Sequence, residues 1–208
     1  MNAKTSPEPE QLIQRAREGD RDALGGLLEK YQNYLGVLAR IHIGRRLQGK
    51  VDACDLVQET FLEAHRDFAQ FRGGTERELA GWLRSVLASN LANLIQRYYG
   101  TQRRDIRLER ELARELDQSS RVLHVGLMAR TNSPSEQASR REQAVVLADA
   151  LARLPEDYRE VLVLRHLEEL TFPEVARRMG RSLDSVKNLW ARALARLRRV
   201  LGGPRDES

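Results

Sequence analysis

An all-α protein of two small helical domains is what this sequence predicts, and three observations predict it. Leu, Ala, Arg and Glu dominate the chain, and these residues favour helix. Aromatic residues are only 5% and β-branched runs are few. Apolar residues recur at spacings of three and four in successive stretches, with Gly- or Pro-marked turns between them. At 208 residues and 41% apolar, the chain can form one ordinary domain or two small ones, each with a core.

Residues 1–9 are polar with two prolines and predict a disordered start. Residues 10–104 read as the first helical domain. Leu12, Ile13 and Ala16 share one helix face. Leu24, Leu27, Leu28, Tyr31, Leu35 and Leu38 share another, and "EGDRDA" reads as the turn between them. "DACDLVQETFLEAHRDFAQF" offers Leu56, Val57, Thr60, Phe61, Ala64 and Phe68 at helical spacing. "RGGTERE" reads as a loop with paired glycines. A helix from Leu79 to Tyr99 follows, with Leu79, Trp82, Leu83, Val86, Leu87, Leu91, Leu94 and Ile95 inward. Helices joined this closely describe a bundle.

Residues 105–132 read as a linker with some helix, because "RRDIRLERELARELDQ" is charged on most faces. The second domain, 133–201, opens on Ser133-Pro134-Ser135-Glu136: a cap, a proline at the first helical position, and a glutamate three residues after the cap. "QASRREQAVVLADALARL" is its first helix and Pro155 starts the next. Thr171-Phe172-Pro173-Glu174 repeats the capping-box spacing. Residues 202–208 read as a disordered tail.

Charge is distributed unevenly. Between Phe172 and Leu201 eight basic residues face two acids, a local +6 within a chain of net +5. That concentration fits a polyanion-binding surface better than a uniformly solvated one. The stretch "FPEVARRMGRSLDSVKNLWARALARLRRV" also has helix-turn-helix spacing. Ala176 is small where two helices approach, Gly180 can take the left-handed turn conformation, and Ser182 can cap the second helix. Leu183, Val186, Trp190, Ala193, Leu197 and Val200 form an inward stripe, with Val175 and Leu189 filling the space between the helices. Ser185, Lys187 and Asn188 are then left to face base edges in a major groove. Arg177, Arg178, Arg181, Arg192 and Arg196 complete the basic surface nearer phosphates.

The single cysteine, Cys54, rules out an internal disulfide and fits a reducing compartment, so a cytoplasmic protein is expected. No stretch is long and apolar enough to cross a membrane, and the N-terminus lacks the apolar core of a signal peptide. Asp52, Asp55 and Glu59, with His65 nearby, are the nearest approach to a metal site. The four histidines are scattered and no zinc spacing, phosphate loop or nucleophile motif is present. No catalytic residue, cofactor or metal ligand is assigned.

"DACDLVQETFLEAHRDFAQF", a loop and "WLRSVLASNLANLIQRYY" together resemble conserved region 2 of bacterial sigma factors. "LARLPEDYREVLVLRHLEELTFPEVARRMGRSLDSVKNLWARALARLRRV" resembles their region 4. Two such domains with little between them look like the extracytoplasmic-function group of the sigma-70 family, over about Glu10 to Leu201. The resemblance implies that "DLVQET" contacts the clamp helices of the β′ subunit of core RNA polymerase, through Asp55, Gln58 and Glu59. The residues' own spacing puts those three on one helix face. It further implies that the loop from Phe68 to Glu78 and the helix after it open the minus-ten promoter element. Phe71, Asn90, Asn93 and Arg97 are the candidates for holding an unstacked base and its strand, with Arg103 and Arg104 on phosphates beyond. Trp82, Phe61 and Phe68 read as core. Asn93 stands where many members of the family carry aspartate. Region 4 would read the minus-thirty-five element as duplex. An anti-sigma protein that covers the core-binding surfaces is the family's usual further partner. A stand-alone helix-turn-helix regulator is the alternative; it explains the second domain and leaves "DLVQET" without a role.

Overall fold

The computed structural model describes residues 9–47, 51–99, 105–128 and 142–202. The cap at Ser133–Glu136, both termini, Arg103 and Arg104 lie outside those residues. Among the described residues every regular element is a helix. The chain divides into two units, Met1–Asp117 and Gln118–Ser208, and the division falls within one helix.

The first unit begins with α1 (Pro9–Arg17), α2 (Arg21–Lys30) and α3 (Gln32–Leu47). The α1–α2 turn follows from two residues. Gly19 takes φ +95, a region closed to most side chains, and Asp20 caps α2 by accepting from the Ala23 N–H at 3.0 Å. The pattern from Leu24 to Leu38 reads as a single run, but the structure breaks it at Tyr31. The Tyr31 ring is fully buried and its hydroxyl lies 3.2 Å from Glu76 Oε1. A buried phenol needs such a partner, and meeting it redirects the chain.

α4 (Ala53–Asp67) is capped by Asp52 and runs into a 3-10 turn at Phe68–Gln70. α5 (Glu76–Tyr99) is the centre of this unit. It packs against α1, α3 and α4, and buries residues on nearly every face, from Leu79 and Ala80 round to Ile95 and Gln96. A helix apolar on most sides can satisfy itself only by being surrounded. α5 starts at Glu76, earlier than the Leu79 expected, because Thr75 and Glu78 form a capping box. Thr75 Oγ1 accepts from the Glu78 N–H at 3.3 Å, and Glu78 Oε2 accepts from the Thr75 N–H at 3.1 Å.

The stretch after residue 105 is helical throughout Ile106–Met128, as α6. Its first half belongs to the first unit and is fastened there by charge. Glu111 and Glu115 lie 3.3 and 2.7 Å from Arg46 of α3, and Asp117 lies 2.6 Å from Arg84 of α5. Leu112 and Leu116 are fully buried.

The second unit holds α7 (Glu142–Ala152), α8 (Glu156–Leu162), α9 (Phe172–Met179) and α10 (Leu183–Gly202). α8 ends in a π turn at Val163–Leu167, closed by the Glu168 N–H on the Val163 carbonyl at 3.0 Å. α9 carries the capping box at Thr171 and Glu174 and ends at Gly180, φ +63. The Arg181 N–H closes on the Ala176 carbonyl at 3.0 Å, the six-to-one bond of a Schellman cap. A Cβ at Gly180 would meet nothing within 4 Å, so the cost of a side chain there is conformational alone. Gly180→Ala is expected to lower the stability of this unit by about 1 kcal/mol, with Gly180→Asn nearer the native value. Denaturant midpoints of the two variants check this, and equal loss in both would remove the left-handed turn as the cause.

Candidate DNA and protein interfaces

α10 is held by its inner face. Val186, Ala193, Leu194 and Leu197 are buried, and Trp190 and Val200 are half-buried. Leu183, expected inward, is 39% exposed because it opens the first turn, before the helix reaches its neighbours. Trp190 fixes the helix's rotation. Its Nε1–H donates to His166 Nε2 at 2.9 Å, the two rings stack at 6.0 Å, and Phe172 meets it edge-on at 5.4 Å. The π turn, the start of α9 and α10 thus converge on one indole.

With the inner face fixed, the outer face follows. Ser182, Ser185, Lys187, Asn188, Arg192 and Arg196 are all exposed, as are Arg177, Arg178 and Arg181. Ser182 Oγ accepts from the Ser185 N–H at 3.3 Å, the cap that sequence spacing predicts. Arg181 is pinned by Asp157 of α8 at 2.6 Å, so part of its charge is already answered. Beside it, burial first and then the charges of Asp157 and Glu156 hold the Glu160 carboxyl above its ordinary value, against the opposing pull of Arg178 and Arg181.

In the first unit, Asp55 and Gln58 are exposed and Glu59 is half-exposed on one face of α4. Two features of that face escape a sequence reading. Leu62 is 73% exposed one turn further on and, with Leu28, Gln58, Phe61 and His65, lines a shallow groove. Glu59 also pairs with Arg97 of α5 at 3.2 Å, which joins two residues expected to do different work. Only the fold brings them together, across 38 positions of sequence.

The loop before α5 is closed from two sides. Glu78 accepts from the Gly74 N–H at 2.9 Å and from both the N–H and hydroxyl of Thr75. Those donors, the Gly74 N–H foremost, hold its carboxyl below the ordinary range. From the other side, Arg17 of α1 donates to the carbonyls of Phe71 and Gly73 and lies 5.7 Å from the Phe71 ring. Phe71 is 6% exposed and packs against Phe68 and Trp82, with centroids at 5.7 and 5.3 Å. Asn90 is 3% exposed and its Nδ2 has no hydrogen-bond partner among the described residues. Asn93 is half-buried and Arg97 is exposed. Of the four described minus-ten candidates, two are therefore interior and two reach the surface. Among the described residues no cluster of His, Cys, Asp and Glu could hold a metal, and no helix is long and apolar enough to cross a membrane.

Residues 28–104 match sigma-70 region 2, and residues 144–197 match sigma-70 region 4. The chain belongs to the sigma-70 family, in its extracytoplasmic-function group. An ECF RNA polymerase sigma-E factor of Haemophilus influenzae is 28% identical over 182 residues, 88% of this chain and 89% of that one. The ECF RNA polymerase sigma factor BldN of Streptomyces coelicolor is 31% identical over 92% of this chain and 65% of its own length. The RNA polymerase sigma factor YlaC of Bacillus subtilis is 28% identical over 90% of this chain and 96% of that one. The helix-turn-helix of this sigma factor lies wholly inside its region 4 match. Its α1, most of α2 and all of α6 lie outside both matched segments.

Proposed function

We infer that this chain is a promoter-selecting sigma factor: it joins core RNA polymerase, directs it to particular promoters and enables initiation. The observation that carries the reading is the pairing of two surfaces on two units. One is the exposed basic face of α10, held in place by Trp190; the other is the acidic and amide strip of α4. Region 4 reads the minus-thirty-five element as duplex, with Ser185, Lys187 and Asn188 toward base edges and the arginines toward phosphates. Region 2 contacts the β′ clamp helices through Asp55, Gln58 and Glu59, and opens the minus-ten element at the loop before α5. Asn93 and Arg97 are its accessible contacts, and Phe71 is the floor on which they stand. An anti-sigma protein over the α4 face is the further partner the family implies. The role is binding rather than catalysis, exercised in the cytoplasm. A stand-alone regulator would leave residues 28–104 without a purpose.

Transcription in vitro tests this. Purified protein added to core polymerase and fragmented genomic DNA should give protein-dependent starts that share spaced upstream elements. Lys187→Ala with Arg192→Ala should weaken promoter binding about tenfold to hundredfold, through lost base and phosphate contacts, and leave core binding intact. Asp55→Ala should do the reverse, and it is cleaner than Glu59→Ala, which would also release Arg97. If both changes lowered core binding equally, the division of labour would be wrong.

A further inference from the structure

We propose that a groove between the α1–α2 corner and the end of α4 is a second single-stranded DNA site, one that carries phosphates of the displaced strand past the loop before α5. It rests on the reading of that loop as the strand-opening element.

The groove encloses about 700 Å³ and its walls are basic: Arg17, Arg21, His65, Arg66 and Arg72 line it, over the edge of Phe71. Its one carboxylate, Asp20, is already engaged. One oxygen accepts from the Ala23 N–H, and the other from Arg15 Nη2 at 2.7 Å. Arg66 is likewise paired with Asp67 at 3.1 Å. Arg17, Arg21 and Arg72 differ from these. No carboxylate among the described residues pairs with any of them, and all three are exposed. Arg17 spends its donors on two neutral carbonyls, which fixes its position and leaves its charge unbalanced.

The placement points to single-stranded nucleic acid. A positive groove beside an aromatic edge is how proteins follow a single strand without reading its sequence. The groove shares Phe71 and Arg72 with the loop, so a strand leaving the loop enters it directly. Any unstacked base draws its own phosphates along, and cations without carboxylate partners are what those phosphates require. Arg17 and Arg21 lie outside the region 2 match, so this contact is additional to the surface common to the family.

The test uses holoenzyme and a forked promoter fragment with an unpaired displaced strand. Arg21→Ala with Arg72→Ala should weaken fork binding about tenfold. It should also lower the slope of log affinity against log salt by about 1.4, two single-strand phosphate contacts. Binding of a duplex minus-thirty-five fragment should not change. Restoring lysine at both positions should restore the slope. Unchanged affinity and slope in the double variant, while Asn93→Ala with Arg97→Ala does weaken fork binding, overturns the groove and leaves the loop reading standing. If neither pair has an effect, both readings fail. If the arginine pair lowers assembly with core polymerase instead, the groove is a protein-docking surface and the proposal is overturned.

Discussion

Asp117→Ala should lower the stability of the first unit by about 3 kcal/mol, the low end of the range for breaking a buried ion pair, because Asp117 itself is half exposed. The cost falls on the partner. Arg84 has a side chain only 6% exposed, with Nε at 2.6 Å from Asp117 and Nη1 at 2.9 Å from the Tyr34 hydroxyl. Burial alone would make the guanidinium easier to discharge. The charges of Tyr34 and Asp117, and the hydrogen bonds from both, outweigh that and hold it above its ordinary value. Remove Asp117 and a permanently charged group stays inside with one neutral partner. Arg84→Met should cost less, because it removes the charge and refills the volume. It still strands the Tyr34 hydroxyl, which is 2% exposed, so adding Tyr34→Phe should recover much of the loss. Denaturant unfolding followed with probes in each unit measures this. The first-unit transition should move and the second should stay. Unchanged unfolding in Asp117→Ala would mean that α6 does not depend on this pair.

That pair also shows what the sequence could not disclose. The acids of α6 read locally as solvated charge, and their partners Arg46 and Arg84 lie more than 30 residues away. Only the fold places the partners together. α10 was legible because its signals are local: a capped start, a glycine turn and a stripe at spacings of three and four, all within one short stretch. Region 2 was legible as a bundle and as a family, but less so residue by residue. Phe71 and Trp82 were separated into strand contact and core, yet both belong to one aromatic cluster. An aromatic residue in a loop gives no local sign of whether it faces solvent. The early start of α5 was available in the sequence. Thr75 and Glu78 have the spacing of a capping box, but the paired glycines before them were the louder signal.

Gly73→Ala should abolish promoter opening in an otherwise assembled holoenzyme, and should lower first-unit stability by about 2 kcal/mol through overpacking. A Cβ at Gly73 would lie 2.5 Å from Glu78 Cβ and 2.6 Å from Phe71 Cζ. Neither neighbour can yield cheaply. Glu78 is in the first turn of α5 with its carboxylate tied to Gly74 and Thr75, and Phe71 is wedged between Phe68, Trp82 and Arg17. The backbone must therefore move, which pulls the Gly73 carbonyl from Arg17 and tilts the floor of the loop. Gly74 is the matched control, because a Cβ there would meet nothing within 4 Å and Gly74→Ala should behave as the native protein. Permanganate reactivity of unpaired thymines near the start site reports opening directly, and core binding measured alongside reports assembly. Loss of reactivity in Gly73→Ala alone, with both variants assembling, would show that strand opening needs this loop held in one shape. Equal reactivity in the two variants would mean that the loop adapts to the strand and that its two-sided fastening serves stability alone.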